Sequence, residues 1–334
     1  MRNVMMAPDE RGLISRVTAI LLFAAAPFFA GKAVAQDEAG GGKPSDASFY
    51  YGGGYAVPNA LTPEDSDANQ LLVKAGLQYA KGEGVKQDYA RAYDYFLSAA
   101  KQGSAQARFY LGVMYADGKG VKADGEQAVS WYKKAAEAGS ADAMLRLAAL
   151  HVSGKDVEKD VSKAMQLYKE VAGKGDVRGL SGQADLYMKG IGVEQDYKLA
   201  LELYRKAAEE GNAHAQSRIG FMYARGLGVP LDYTQAYEWM MRAARQGNTF
   251  AESFVGSLYE RGKGVRSDYA EAMNWYEKAA EKENAFAAFR MGSLYEDGRG
   301  VRADKEKAIE WYRKAAAYGN SAARNKLIEL EGKE

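Results

Sequence analysis

A glycine turn recurs every 36 residues. It reads Gly82-Glu83-Gly84-Val85, Gly118-Lys119-Gly120-Val121, Gly154-Lys155-Asp156-Val157, Gly190-Ile191-Gly192-Val193, Gly226-Leu227-Gly228-Val229, Gly262-Lys263-Gly264-Val265 and Gly298-Arg299-Gly300-Val301. The period does not slip. A fixed period of this length dictates a stack of like supersecondary units rather than one globular core. Stacked units build long surfaces more readily than enclosed catalytic pockets.

Between the turns, apolar residues fall at helical spacing. The helix before each turn carries Leu-Gly-x-x-Tyr or close to it, as in Leu111-Gly112 to Tyr115 and Ile219-Gly220 to Tyr223. The helix after it carries Ala-x-x-aromatic-aromatic-x-x-Ala-Ala, as in Ala128 to Ala136 and Ala308 to Ala316. Spacings of three and four place each set on one helical face. Six residues after each first turn glycine stands an aspartate (Asp88, Asp124, Asp160, Asp196, Asp232, Asp268, Asp304), expected to cap the second helix. The second helix ends at Gly103, Gly139, Gly175, Gly211, Gly247 or Gly319, and Glu283 replaces glycine at one such end, where strain is expected. Ser104, Ser140, Asp176, Asn212, Asn248, Asn284 and Asn320 then read as caps of the next first helix. Trp131, Trp239, Trp275 and Trp311 share one register with Tyr95, Leu167 and Leu203, which reads as core.

This order of motifs resembles the Sel1-like repeat family, relatives of tetratricopeptide repeats, over residues 68–319. The resemblance implies an all-α fold: an αα-solenoid, a right-handed superhelix of seven 36-residue helix-turn-helix repeats with a C-terminal capping helix. The units run 68–103, 104–139, 140–175, 176–211, 212–247, 248–283 and 284–319, and the closing helix 320–331, within a solenoid domain of 62–334. It also implies an adaptor or scaffold, exported members being associated with envelope assembly, polysaccharide export, host interaction or restraint of sensor kinases. The chain departs from the pattern at His151 in place of Tyr, Gln183 in place of Leu, and Leu167 and Leu203 in place of Trp.

Residues 1–35 read as a secretory signal: Arg2, Arg11 and Arg16, an apolar run from Val17 to Ala30, then Ala33-Val34-Ala35 before Gln36. The run is short for a membrane span, which needs roughly 20 apolar residues. Export with cleavage near Ala35-Gln36, to the periplasm or beyond, is therefore expected. Residues 36–61 read as a flexible linker containing one aromatic patch, Phe49-Tyr50-Tyr51 to Tyr55. Thr62-Pro63 then marks a helix start. Net charge is +1 with both signs interleaved, which argues against a nucleic-acid footprint.

The search for reaction chemistry returns little. There is no cysteine, hence no thiol nucleophile and no cysteine-ligated zinc, and no residue to which the β-lactam chemistry of cysteine-rich relatives could be carried. The Gly-x-Gly turns lack the spacing of a phosphate-binding loop. His151 reads as a core histidine and His214 as an exposed one, and neither lies in a nucleophile motif. No catalytic, cofactor or metal residue is expected. A hydrolase or binding protein for peptidoglycan, β-lactam or polysaccharide is the alternative to a scaffold.

The related tetratricopeptide fold lines its concave surface with the first helix of each unit. Registers of that helix off the Leu-Gly-Tyr face then form the expected partner groove: Phe109, Val113, Arg178, Asp185, His214, Phe221, Phe250, Phe286 and Phe289. Such a groove is polar in the middle and apolar at both ends, with Phe250, Phe286 and Phe289 as a C-terminal aromatic cluster. Two readings of these phenylalanines stand: a partner surface, or packing between units. The expected partner is an envelope protein or an extended peptide.

Overall fold

A computed structural model describes residues 67–332. The proposed signal, the 36–61 segment and the Thr62-Pro63 helix start lie outside the described residues. The chain runs α1 (Asp67–Lys81), α2 (Tyr89–Lys101), α3 (Ala105–Asp117), α4 (Gly125–Glu137), α5 (Ala141–Ser153), α6 (Val161–Gly173), α7 (Arg178–Lys189) and α8 (Tyr197–Glu209). It continues α9 (Ala213–Arg225), α10 (Tyr233–Arg245), α11 (Thr249–Arg261), α12 (Tyr269–Glu281), α13 (Ala285–Asp297), α14 (Lys305–Ala317) and α15 (Ser321–Glu331). The described residues contain no strand.

Each helix packs on the next, so seven pairs stack in chain order and α15 closes the array. Successive odd helices also touch, at α5–α7 and α11–α13, and so form a layer of their own. The two layers are unequally crowded. α9 buries eight of its 13 residues, most of its circumference, whereas α10 buries four of 13, a single stripe. A helix buried on most sides belongs to the inner layer of a curved stack, which places the odd helices inside.

The expected caps form. The seven aspartates adopt extended backbone angles and accept bonds from amides two or three residues on. Serine and asparagine do the same for the odd helices. Asp176 departs from its expected role: α7 starts after Val177, without a side-chain cap. Its carboxylate accepts instead from the Arg178 backbone amide at 3.0 Å and from Arg178 Nε at 2.9 Å. The carboxylate thus holds both the backbone amide and the guanidinium of Arg178, each through a charge-assisted bond.

The turn glycines are left-handed, and two other residues join them: Asp156 at φ 58° and Glu283 at φ 61°. The second turn glycine also needs its missing side chain. A Cβ on Gly264 would lie 2.0 Å from the Tyr233 carbonyl oxygen, and one on Gly120 2.5 Å from that of Tyr89. The third unit solves the same contact in reverse. Asp156 carries the side chain, and the opposing residue is Gly125, where a Cβ would lie 2.4 Å from Asp156 Cγ.

The core corrects the reading of the tryptophans. Of the four, only Trp275 is buried; Trp131, Trp239 and Trp311 are half-buried. One residue further on lies the true core register: Phe96, Tyr132, Tyr168, Tyr204, Met240, Tyr276 and Tyr312, each at most 5% exposed. These side chains press against the helical glycines; a Cβ on Gly292 would lie 2.7 Å from Tyr312 Cδ1. Each tryptophan is covered by a cation one turn on: Lys134, Arg242, Lys278 and Lys314 lie 4.1–4.4 Å from the ring centroids. The long aliphatic stems shield one ring face while the charge stays in water.

Candidate functional site: a variable stripe on the odd helices

Positions i, i+4, i+7 and i+11 share one face of a helix. On α7 these are Arg178, Gly182, Asp185 and Lys189; on α9, His214, Arg218, Phe221 and Arg225. On α11 they are Phe250, Phe254, Ser257 and Arg261; on α13, Phe286, Arg290, Ser293 and Asp297. Around this stripe the caps, turns and core repeat. On it the residue type changes from unit to unit.

The polar middle is real but divided. Arg178 binds Asp142 of the previous unit through Nη1 at 2.6 Å, as well as Asp176. Burial alone would depress the Arg178 pKa, but the two carboxylates raise it. Asp185 forms a separate cluster. Tyr204 Oη donates to it, His214 Nε2 lies 3.0 Å from Oδ2, and Arg218 Nε lies 3.9 Å from Oδ1. Burial pushes Asp185 up, yet His214, Arg218 and Lys189 together hold its carboxyl well below the usual range. Burial lowers the Lys189 amine to about 8 against the pull of Asp185. His214 is thus a half-buried partner of Asp185 rather than an exposed side chain. His151 is buried, as expected of a core histidine, with Nδ1 3.0 Å from the Glu158 carbonyl.

Similar clusters recur towards the C-terminus as a clamp between units. Glu260 on α11 accepts from Tyr276 Oη at 2.8 Å and from Arg290 Nε of α13 at 3.1 Å. Glu296 on α13 accepts from Tyr312 Oη at 2.5 Å and from Lys326 Nζ of α15 at 2.9 Å. Burial and the neighbouring carboxylate raise the phenols of Tyr276 and Tyr312. The joint between the fifth and sixth units carries no such clamp. Ala224 stands at the Glu260 register, as Ala80 and Ala116 do in earlier units, with Met240 at that of Tyr276 and Phe254 at that of Arg290. Phe254 meets Phe250 at 5.8 Å and Phe221 at 6.5 Å between ring centroids, and Phe221 meets Phe250 at 6.1 Å. All three phenylalanines are half-buried.

The expected cluster of Phe250, Phe286 and Phe289 does not form. Phe286 packs edge-on against Tyr276 at 6.1 Å and Phe289 against Tyr312 at 5.4 Å, both half-buried against the C-terminal core. Phe109 is buried between Tyr110 and Tyr132, and Val113 packs against that same core. The aromatic patch is instead Phe221, Phe250 and Phe254. Sequence selection missed Phe254; the signal for it is that the same register holds Arg218 and Arg290 in the two adjoining units.

Among the described residues no group of three or more His, Asp or Glu is arranged to hold a metal, and no helix is long and apolar enough to cross a membrane.

The helix pairs, their capped turns and their continuous core define an αα-solenoid. The Sel1 repeat model matches residues 72–104, 105–140, 141–176, 179–212, 213–248, 249–284 and 285–320, and the chain belongs to that family. Among solved structures, a Sel1 repeat protein from Oxalobacter formigenes is 35% identical over 78% of this chain and 76% of its own, with a TM-score of 0.61. A protective antigen of uropathogenic Escherichia coli displaying an SLR fold is 34% identical over 79% of this chain, with a TM-score of 0.52. This chain covers 57% of that antigen, less than two thirds of its length. A Pseudomonas aeruginosa immunity protein, 23% identical over 64% of this chain and 81% of its own, shares the fold at a TM-score of 0.50. Comparison with curated proteins found no match. Sel1 repeats mediate protein–protein interaction, and the fold is in general a non-enzymatic scaffold.

Proposed function

We propose that this chain is an exported scaffold that binds an envelope protein, or an extended segment of one, along the inner stripe of its odd helices. The observation that carries the reading is the contrast within each unit. Residues that recur serve turn, cap and core, while the stripe varies and carries charged and aromatic groups on a surface. Large half-buried aromatic and arginine side chains are the types that dominate partner surfaces. Export rests on the signal-like residues 1–35. A role in regulating an envelope sensor or a polysaccharide machinery follows as the finer form of this proposal.

Photo-crosslinking in the native cell tests it. A crosslinking residue in place of Ser293 or Asp297, on the inner stripe, is expected to trap a defined protein. The same residue at Lys133 or Glu277, on the outer helices, is expected to trap none. Equal capture from both faces, or capture from the outer face alone, overturns the assignment.

A further inference from the structure

Three departures from the repeat fall together in the fifth unit and its junction with the sixth. Met240 stands in a register that is otherwise aromatic, and Phe254 stands where the adjoining units have Arg218 and Arg290. The glycine turn of the same unit is the third. It carries Leu227, Pro230 and Leu231, with Leu231 56% exposed. At the position of Pro230 every other unit has a Lys, Arg or Glu. A structural role alone does not require this, because the neighbouring joints hold together with charged clamps.

Charge completes the pattern. The last stripe position is Lys189 on α7, Arg225 on α9 and Arg261 on α11, one cation per unit. The same position is Asp117 on α3, Ser153 on α5 and Asp297 on α13, which bounds the cationic row to three units. Arg225 and Arg261 are exposed, and the Arg225 guanidinium lies 5.7 Å over the Phe221 ring, so charge and aromatic surface adjoin. Over α7, α9 and α11 the stripe holds five Lys or Arg; Arg178 is bound by Asp142 and Asp176 and Arg218 is buried beside Asp185, which leaves Lys189, Arg225 and Arg261 as the cationic row.

We propose that the stripe over α7, α9 and α11 receives an extended peptide with apolar anchors and acidic residues three positions apart. The inference rests on the inner-stripe reading above and names the chemistry of its partner. The period follows from two spacings. Packed helices stand about 8–10 Å apart, and an extended chain in the polyproline II conformation rises about 3.1 Å per residue with three residues per turn, so every third side chain faces the same way. One unit of the solenoid therefore matches about three residues of peptide. Carboxylates at that period meet Lys189, Arg225 and Arg261 in turn. Apolar side chains between them rest on Phe221, Phe250 and Phe254.

Fluorescence anisotropy on the full chain tests this with a labelled peptide of about 12 residues repeating Asp-Leu-Ser. One control has the same composition with its aspartates contiguous, and another has lysine for aspartate. The period-three acidic peptide is expected to bind, and to bind more weakly at about 300 mM than at about 50 mM salt. The charge reversal Arg225→Glu with Arg261→Glu is expected to weaken it about tenfold or more. A graft of the neighbouring clamp, Ala224→Glu with Met240→Tyr and Phe254→Arg, is expected to abolish binding while helical circular dichroism is retained. Equal binding of the lysine peptide, no binding of the acidic one, or unchanged affinity in both variants overturns the proposal. Sedimentation showing a dimer that the charge reversal dissolves would make a second copy the occupant, and also overturns it. Inner-stripe crosslinking that survives the charge reversal refutes the acidic peptide and leaves the scaffold reading standing. Loss of selective inner-stripe crosslinking in the unmodified chain removes both.

Discussion

Asp117 ends α3 with a carboxylate whose Oδ2 is buried and finds no hydrogen-bond partner. Burial raises its pKa to about 6, against the opposing pull of Lys119, Arg146 and Lys155. The folded chain therefore holds this proton at pH values where the unfolded chain, titrating near about 4, has released it. The stabilisation is fully present below about pH 4 and is lost as the pH rises through about 6. Asp117→Asn keeps the shape and removes the charge. Urea midpoints are expected to agree for the two proteins at about pH 4 and to favour the variant increasingly towards about pH 7. A difference that does not grow with pH refutes the assignment. The register that holds Asp117 is the one that holds Arg225 three units on, so the same position is a burdened carboxylate in one unit and an exposed cation in another.

Between elements, the contact of Asp156 with Gly125 shows how the units were fitted to one another. Five of the other turns set a glycine against the first residue of the preceding even helix, which is Tyr89, Val161, Tyr197, Tyr233 or Tyr269. Here the side chain has changed sides. Gly125→Tyr drives a ring into the Asp156 carboxylate and is expected to cost about 1–3 kcal/mol, as overpacking does. The same change made together with Asp156→Gly recreates the arrangement of the other units and is expected to recover most of that loss. Denaturation of the two single variants and the double variant measures the coupling. Additive effects, with no recovery, mean that the contact is incidental. This pairing was half legible in the sequence. Asp156 stood out as a break in the glycine pattern, but its partner 31 residues earlier is visible only once α4 and the third turn are brought together.

At the scale of the whole molecule, each unit touches only its neighbours, so stability is a sum of unit terms and joint terms. The joints are of different kinds. The Glu260–Tyr276–Arg290 clamp is buried and charged, whereas Ala224–Met240–Phe254 is apolar. Removing one member of a buried pair leaves the other uncompensated, at a cost of about 3–5 kcal/mol. Glu260→Ala is therefore expected to open the array at α11–α13. Amide exchange should speed up there and in the helices beyond, while α3 to α5 keep their protection. A uniform loss of protection along the chain would show that the solenoid unfolds as one unit instead.

The sequence alone determined the architecture, because a 36-residue period of turn glycines, capping aspartates and close-packing alanines permits one kind of object and sets the ends of its helices. Those signals are local, carried by φ angles and by bonds two to four residues long. Tertiary structure decided which aromatic register is core. Tryptophan and tyrosine stand side by side on the even helices, and only packing shows that the tyrosine faces the glycine of its partner while Trp131, Trp239 and Trp311 lie at the rim under a cation. It also decided the site. Phe286 and Phe289 share the chemistry of Phe250, but they lie against Tyr276 and Tyr312, while Phe250 meets Phe221 of the preceding unit and Phe254 one turn on in its own helix. A side chain's surroundings here come from residues about one repeat away, and a periodic sequence gives every copy the same local reading.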